Sequence, residues 1–335
     1  MKTSLTTLLL LGALSPLFQP SLAFAQGSLT PPGAPAPTMK TLDQIEARTP
    51  ISTAPFTISA PGSYYLTGNL AVGTGGGDAV VISTDGVTLD LNGFTVSSTA
   101  SPASGYGVRI NGVKNVTVRN GHVRGATTFS SGVFTAGGFI YGVRNVNTAG
   151  VNLRVTDVSV HGVSGDGIDL QSSDHPTYLV ERCVLSVCGG SGIRAGIVRD
   201  CGAKIIGANA ISGDIVTHCS GQTVNIVGTA FGILATSLAE NCRGIANTGT
   251  GVNTINANNC RGTSTSGVGL TANASAHNCE GISTSGAFGI NIVNGTASFC
   301  RGQRASGTAI SALNAVACTT NGGIITATNK SLGTP

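Results

Sequence analysis

The stretch Ala239-Glu240-Asn241-Cys242-Arg243-Gly244 returns as Ala257-Asn258-Asn259-Cys260-Arg261-Gly262, then as Ala276-His277-Asn278-Cys279-Glu280-Gly281, and again as Ala297-Ser298-Phe299-Cys300-Arg301-Gly302. Each cysteine stands three residues after a small apolar residue and two before a glycine. The same spacing extends outward, with Val180, Val198 and Val216 preceding Cys183, Cys201 and Cys219, and Ala315 preceding Cys318. Upstream, Val158 takes the cysteine's place and Val155 stands before it. Past most of these cysteines, after a Ser/Gly-rich turn, comes an aliphatic residue: Ile193, Ile211, Val252, Leu270, Ile290 and Ile310. A period of about 18 residues with inward aliphatics, glycine turns and no helical pattern means that each repeat is one turn of a solenoid. Short apolar strands alternating with Gly/Asn/Ser corners suit an all-β, single-stranded parallel β-helix. Asn241, Asn259 and Asn278 fit its corners, because asparagine tolerates the left-handed backbone and can bond from coil to coil.

Composition agrees. Only 10% of the 335 residues are charged, 49 are glycine, tryptophan is absent and aromatic residues make up 4%. That excludes a coiled coil, which needs Glu, Lys, Leu and Ala, and a disordered chain, which needs high charge. A net charge of +4 gives no case for a nucleic-acid partner. At the N-terminus, Lys2, the apolar run Leu5 to Leu17 and Ala23-Phe24-Ala25 read as a secretory signal peptide over residues 1–25. A Pro/Gly-rich leader follows over 26–38, and the β-helix domain takes 39–335. Within it, Met39 to Arg48 reads as a short helix capping the open N-terminal end. No segment is apolar for long enough to predict a membrane span. The expected location is outside the cytoplasm: extracellular, periplasmic or on the cell surface.

The phrases Pro61-Gly62-Ser63-Tyr64-Tyr65-Leu66, Asp85-Gly86-Val87-Thr88-Leu89-Asp90-Leu91-Asn92-Gly93 and Ser164-Gly165-Asp166-Gly167-Ile168 resemble those of secreted bacterial right-handed parallel β-helix proteins, within the pectin-lyase-like superfold. The resemblance covers residues 55 to 325 and implies a right-handed coil. Its motifs specify coils rather than chemistry, and the superfold holds lyases, hydrolases, epimerases and tailspikes, so it does not decide function.

Candidate chemistry lies where the sparse charges cluster. Aligned on the inward aliphatics, Arg109, Arg144, Asp169 and Arg194 form one outward column, which turns neutral downstream at Ser212, Leu234 and Asn253. Between Arg119 and Gly142 the coil lengthens, and the extra residues carry Phe129, Phe134 and Phe139 ahead of Tyr141. Arginine forks suit carboxylates and aromatic faces suit sugar rings. Arg109, Arg144, Asp169, Arg194, Phe134 and Tyr141 are therefore candidate binding residues for an acidic polysaccharide or a cell surface. Asp169, Arg144 and Arg194 are the candidates for catalysis. The alternative reading is a lyase or glycoside hydrolase on a uronate-containing polymer, and a structural salt-bridged column competes with both. Resemblance to pectate lyases would imply an arginine base with bound Ca2+. Asp166, Asp169 and Asp174 are the candidate calcium ligands, and they do not match that family's metal pattern. The paired aspartates and Gly-His-Gly of polygalacturonases are absent. The eight periodic cysteines lack zinc-ligand spacing and read as a reduced, buried core column, with bridging between coils as the alternative. Cys188, off the period, is the candidate for an exposed thiol. The stripe Arg243, Arg261, Glu280 and Arg301 reads as a solvated face.

Overall fold

The computed structural model describes residues 47–147, 150–171, 176–225, 228–331 and 334. The signal-peptide and leader segments lie outside the described residues, as does all of the expected cap helix except Ala47 and Arg48. The described chain is all-β. It consists of a 31-stranded parallel sheet wound upon itself and one antiparallel hairpin, Thr128–Ser130 with Val133–Thr135.

Each coil visits three stacks of parallel strands. The first face begins with Phe56–Ile58, Val80–Ile82 and Tyr106–Ile110. The second begins with Thr49–Ile51, Gly62–Leu66 and Val87–Asp90. The third begins with Leu70–Val72 and Thr95–Ser98. Strand side chains alternate, so one set of each strand faces the interior. On the first face Ile168, Ile193, Ile211, Ile233, Val252, Leu270, Ile290 and Ile310 stand in one register column, all fully buried. Val155, Val180, Val198, Val216, Ala239, Ala257, Ala276, Ala297 and Ala315 form the matching column of the second. Like residues stack on like because no single coil can bury its own apolar face.

Second and third faces meet at a corner made by one left-handed residue. Asp157, Arg182, Asp200, His218, Asn241, Asn259, Asn278, Phe299 and Ala317 hold φ between 48° and 56° there. The corner asparagines behave as expected, and Asn278 Nδ2 donates to Asn259 Oδ1 at 2.7 Å. Phe299 and Ala317 adopt the same backbone without any side-chain preference for it. Hydrogen bonds between coils hold them, as where Phe299 N donates to Val316 O at 2.9 Å. A left-handed residue costs roughly 1–2 kcal/mol when it is not glycine or asparagine, and the bond to the next coil offsets that cost.

Directly after this corner come the periodic cysteines, which the turn points inward. All nine cysteines of the chain are free and buried. The thiols of Cys242, Cys260, Cys300 and Cys318 donate to Val216 O, Ala239 O, Ala276 O and Ala297 O of the preceding coil at 3.2–3.3 Å. Cysteine thus serves as a small apolar filler with a weak donor. Cys188 corrects the expectation of an exposed thiol. Val187 takes a φ of 55°, which breaks the strand alternation and turns Cys188 into the core at 0% exposure. Burial, and then the nearby Asp166 charge, push its thiol pKa far up. It is an inert sulfur, not a reactive one.

Candidate functional site

The charged column forms as alternation requires. Val108, Val143, Ile168 and Ile193 point inward, and the next residues pair in register as Arg109 with Arg144, Arg144 with Asp169, and Asp169 with Arg194. The neutral continuation through Ser212, Leu234 and Asn253 is likewise in register.

Asp169 is the centre of the group. Arg194 grips it bidentately, Nε to Oδ1 at 2.8 Å and Nη2 to Oδ2 at 2.7 Å. Arg144 Nε stands 3.5 Å from Oδ2, an ion pair without hydrogen-bond geometry, and the Gln171 amide donates to Oδ1 at 2.8 Å. With the two arginines and its own turn around it, Asp169 is 0% exposed although its strand position faces outward. A carboxylate has about four lone-pair sites; three take these hydrogen bonds, and the Arg144 charge stands beside them without filling the fourth. Two arginines on one buried carboxylate leave a net positive group. At the column's start, Arg109 pairs with Asp78 at 3.1 Å.

Aromatic rings run alongside. Tyr106 and Tyr141 are register partners and stack at 5.3 Å between centroids, nearly parallel. The Arg144 guanidinium lies 3.8 Å over the Tyr141 ring, and that of Arg109 lies 5.5 Å over Tyr106. Contacts of this kind hold a guanidinium flat against a ring. Next to the column, Asp166 accepts the Ser191 amide at 2.7 Å. Burial pushes its carboxyl above the ordinary value; the Asp169 charge adds to the rise, while the Ser191 bond and the arginines oppose it.

The structure therefore unites Arg109, Arg144, Asp169, Arg194 and Tyr141. The three phenylalanines are placed differently from one another. Phe129 and Phe134 pair on the hairpin at 4.6 Å, and Phe134 covers Gly207 at the turn from the third face to the first. Phe139 is fully buried in the core. His161 sits on the third face, bonded through Nδ1 to Ser186 Oγ at 2.8 Å. Asp174 and His175 lie outside the described residues. Sequence reasoning missed Asp78, whose carboxylate also accepts the Tyr106 amide at 3.1 Å; its place just before the inward Ala79-Val80 is the signal that would have found it. A second group, Asp90 between Arg48 at 3.3 Å and Arg119 at 3.1 Å on the second face, was also missed. The stripe of Arg243, Arg261, Glu280 and Arg301 stands in register, with Glu280 shared by Arg261 at 3.1 Å and Arg301 at 3.3 Å. Its arginines are exposed, as a solvated face would have them.

Of the aspartates that suggested calcium, Asp174 lies outside the described residues and Asp169 offers no open face to a cation. Both Asp169 oxygens already face guanidinium groups, and among the described residues no three His, Cys, Asp or Glu side chains converge as metal ligands would. Nor, among those residues, is any helix long and apolar enough to cross a membrane.

No family model and no curated protein matches the chain. Among solved structures it is similar to the enzymatically active domain of tailspike protein 2 of bacteriophage CBA120, at 14% identity and a TM-score of 0.33. The match spans 78% of this chain and 38% of that one. So loose a likeness leaves the site to be read from its own residues.

Proposed function

We propose that this chain is a secreted, right-handed parallel β-helix protein of the pectin-lyase-like kind that binds an acidic polysaccharide along its first face. The signal-peptide pattern of residues 1–25 supports secretion. Right-handedness is supported by the near-universal hand of parallel β-crossovers, about 98% of cases. One observation carries the binding reading: the Tyr106–Tyr141 stack lies beside arginines spaced one coil apart, with the Arg144 guanidinium 3.8 Å over Tyr141. The tyrosine edges, and the guanidinium N–H groups not spent on Asp78 and Asp169, are what this face offers to a sugar ring and its uronate carboxylate. Coils repeat at ~4.8 Å, close to the advance of a sugar unit along a chain, so successive residues of a polymer meet equivalent positions. Asp169 is spent on holding the two arginines apart and in place, which favours binding over proton transfer.

The test is to titrate purified protein with pectate, alginate and a glycosaminoglycan while following the absorbance of unsaturated uronates. The expected result is binding to at least one polymer without new absorbance, weakened tenfold or more by Arg194→Ala, about 1.4 kcal/mol. Absence of binding to all three polymers overturns the proposal. Absorbance that appears with the native chain and vanishes in Arg144→Ala replaces it with a lyase.

A further inference from the structure

The third face carries a feature independent of that column. Where the hairpin departs from the coil there is a hollow of about 420 Å3, with Ser97, Thr99, Arg124, Thr128 and His161 in its lining. Register sets Ser97, Arg124, His161, Ser186 and Lys204 in a single outward line. Arg124, His161 and Lys204 are all exposed. Among the described residues neither Arg124 nor Lys204 has an ion-pair partner, whereas every arginine of the first-face column is paired to an aspartate. No carboxylate lines the hollow.

The walls are fixed in advance. Thr127 N donates to Gly162 O on the coil above at 2.9 Å, and Gly138 N donates to Ala100 O on the coil below at 2.8 Å. Between them Thr127 Oγ1 donates to Gly137 O at 2.9 Å and accepts from Gly137 N at 3.1 Å, which closes the hairpin's base. A hollow built on such a frame has little ordering entropy to lose when it is filled.

We propose that this hollow is a second binding site, for the charged group of an anionic sugar, either a carboxylate or a sulfate ester. The Arg124 guanidinium supplies the planar fork for the anion, and the Thr99 and Thr128 hydroxyls and the His161 ring edge face the sugar. Its volume lies within the usual range for small-ligand pockets, about 300–1,000 Å3. Lys204 is two coils beyond His161, ~10 Å along the line, and meets the next anionic group of a longer chain. The hairpin leaves the third face after Arg124 and rejoins the first at Tyr141, so it borders both sites.

The experiment follows the Arg124 Nε–H and His161 ring signals by NMR in the full chain. Digalacturonate, a sulfated chondroitin disaccharide, inorganic sulfate and cellobiose are added separately. We expect saturating shifts with one or both charged disaccharides and none with cellobiose; the tighter of the two identifies the anion. Arg124→Gln should weaken that binding at least tenfold, and Arg194→Gln should leave it unchanged, which separates this site from the first-face column. The proposal is overturned if neither charged disaccharide moves these signals, if cellobiose moves them equally, or if Arg124→Gln binds as the native chain does.

Discussion

The N-terminal and C-terminal coils solve the same packing problem in opposite ways. The early coils fill their interior with bulk, including Leu89, Leu91, Ile110, Phe139 and Tyr178, and spend their charges on the first and second faces. The later coils keep the first-face aliphatics but turn to alanine on the second face and to cysteine after the corner, and they pinch shut. A Cβ on Gly244 would come within 1.8 Å of Gly251 O, and one on Gly262 within 2.0 Å of Gly269 O. The early coils pinch in places too, since a Cβ on Gly125 would come within 2.1 Å of Gly162 O, whereas at Gly107 the nearest atom is a methyl of Val123 at 2.4 Å. The thin coils can repeat indefinitely but offer a uniform, mostly neutral surface. The thick ones tolerate a hairpin, bury an aspartate and carry both candidate sites. Both candidate sites lie where the repeat is least regular.

The sharpest way to break this comparison is to thicken a thin coil. Gly262→Val drives a side chain into backbone that cannot retreat, and the cost expected is about 4 kcal/mol or more. Gly202→Ala, which meets nothing within 4 Å, should change stability by no more than ~0.5 kcal/mol. Equal melting temperatures for the two variants by circular dichroism would mean that the pinch is not real. Next in size is Asp169→Asn in the thick region. Removing a buried charge shared by two arginines should cost about 3 kcal/mol. Asp157→Asn breaks a bidentate pair with Arg182 in which both side chains are about half exposed, and it should leave melting almost unmoved.

The sequence made the repeat legible because cysteine and glycine are rare enough in such spacing to mark the coil. Alternation then gave the Arg109–Arg144–Asp169–Arg194 column its register without any structure. What it hid was whatever depends on more than one coil. Asp169 sits at an outward position yet is buried, because neighbours from other coils close over it. The left-handed corners at Phe299 and Ala317 are imposed by stacking and have no local signature. Cys188 falls off the period and was expected to be exposed for that reason, but the left-handed Val187 turns it into the core all the same. The three phenylalanines are close in sequence, but the hairpin carries two, of which Phe134 lies over Gly207, and the coil swallows the third.

The cysteine column sharpens the comparison at intermediate scale. With all nine thiols buried and free, a disulfide reagent should react slowly with the native chain and with nine equivalents once it is unfolded. Parallel neighbours keep their Cβ atoms somewhat beyond the ~3.5–4.5 Å that a disulfide prefers. Fewer than nine thiols in protein recovered from an oxidising compartment would show that thin coils bend enough to bridge, and so are softer than their regularity suggests.

A small, pH-dependent effect belongs to Asp166, in the thick region, and its sign is fixed by burial. Its folded-state pKa lies above the ordinary 3.8, so the folded chain holds its proton more tightly than the unfolded chain does. Below the ordinary value both states are protonated and burial carries no penalty. As pH climbs through the raised value, the native state must either keep a proton from solvent or bury a charge, and stability falls relative to a chain without that group. Asn at this position keeps an oxygen to accept the Ser191 amide. The melting temperature of Asp166→Asn should therefore gain on that of the native chain between pH 4 and pH 7. A gap that stays constant, or closes as pH rises, would mean that Arg144 and Arg194 already compensate the Asp166 charge, making the cluster a balanced structural network rather than a group with positive charge to offer a ligand.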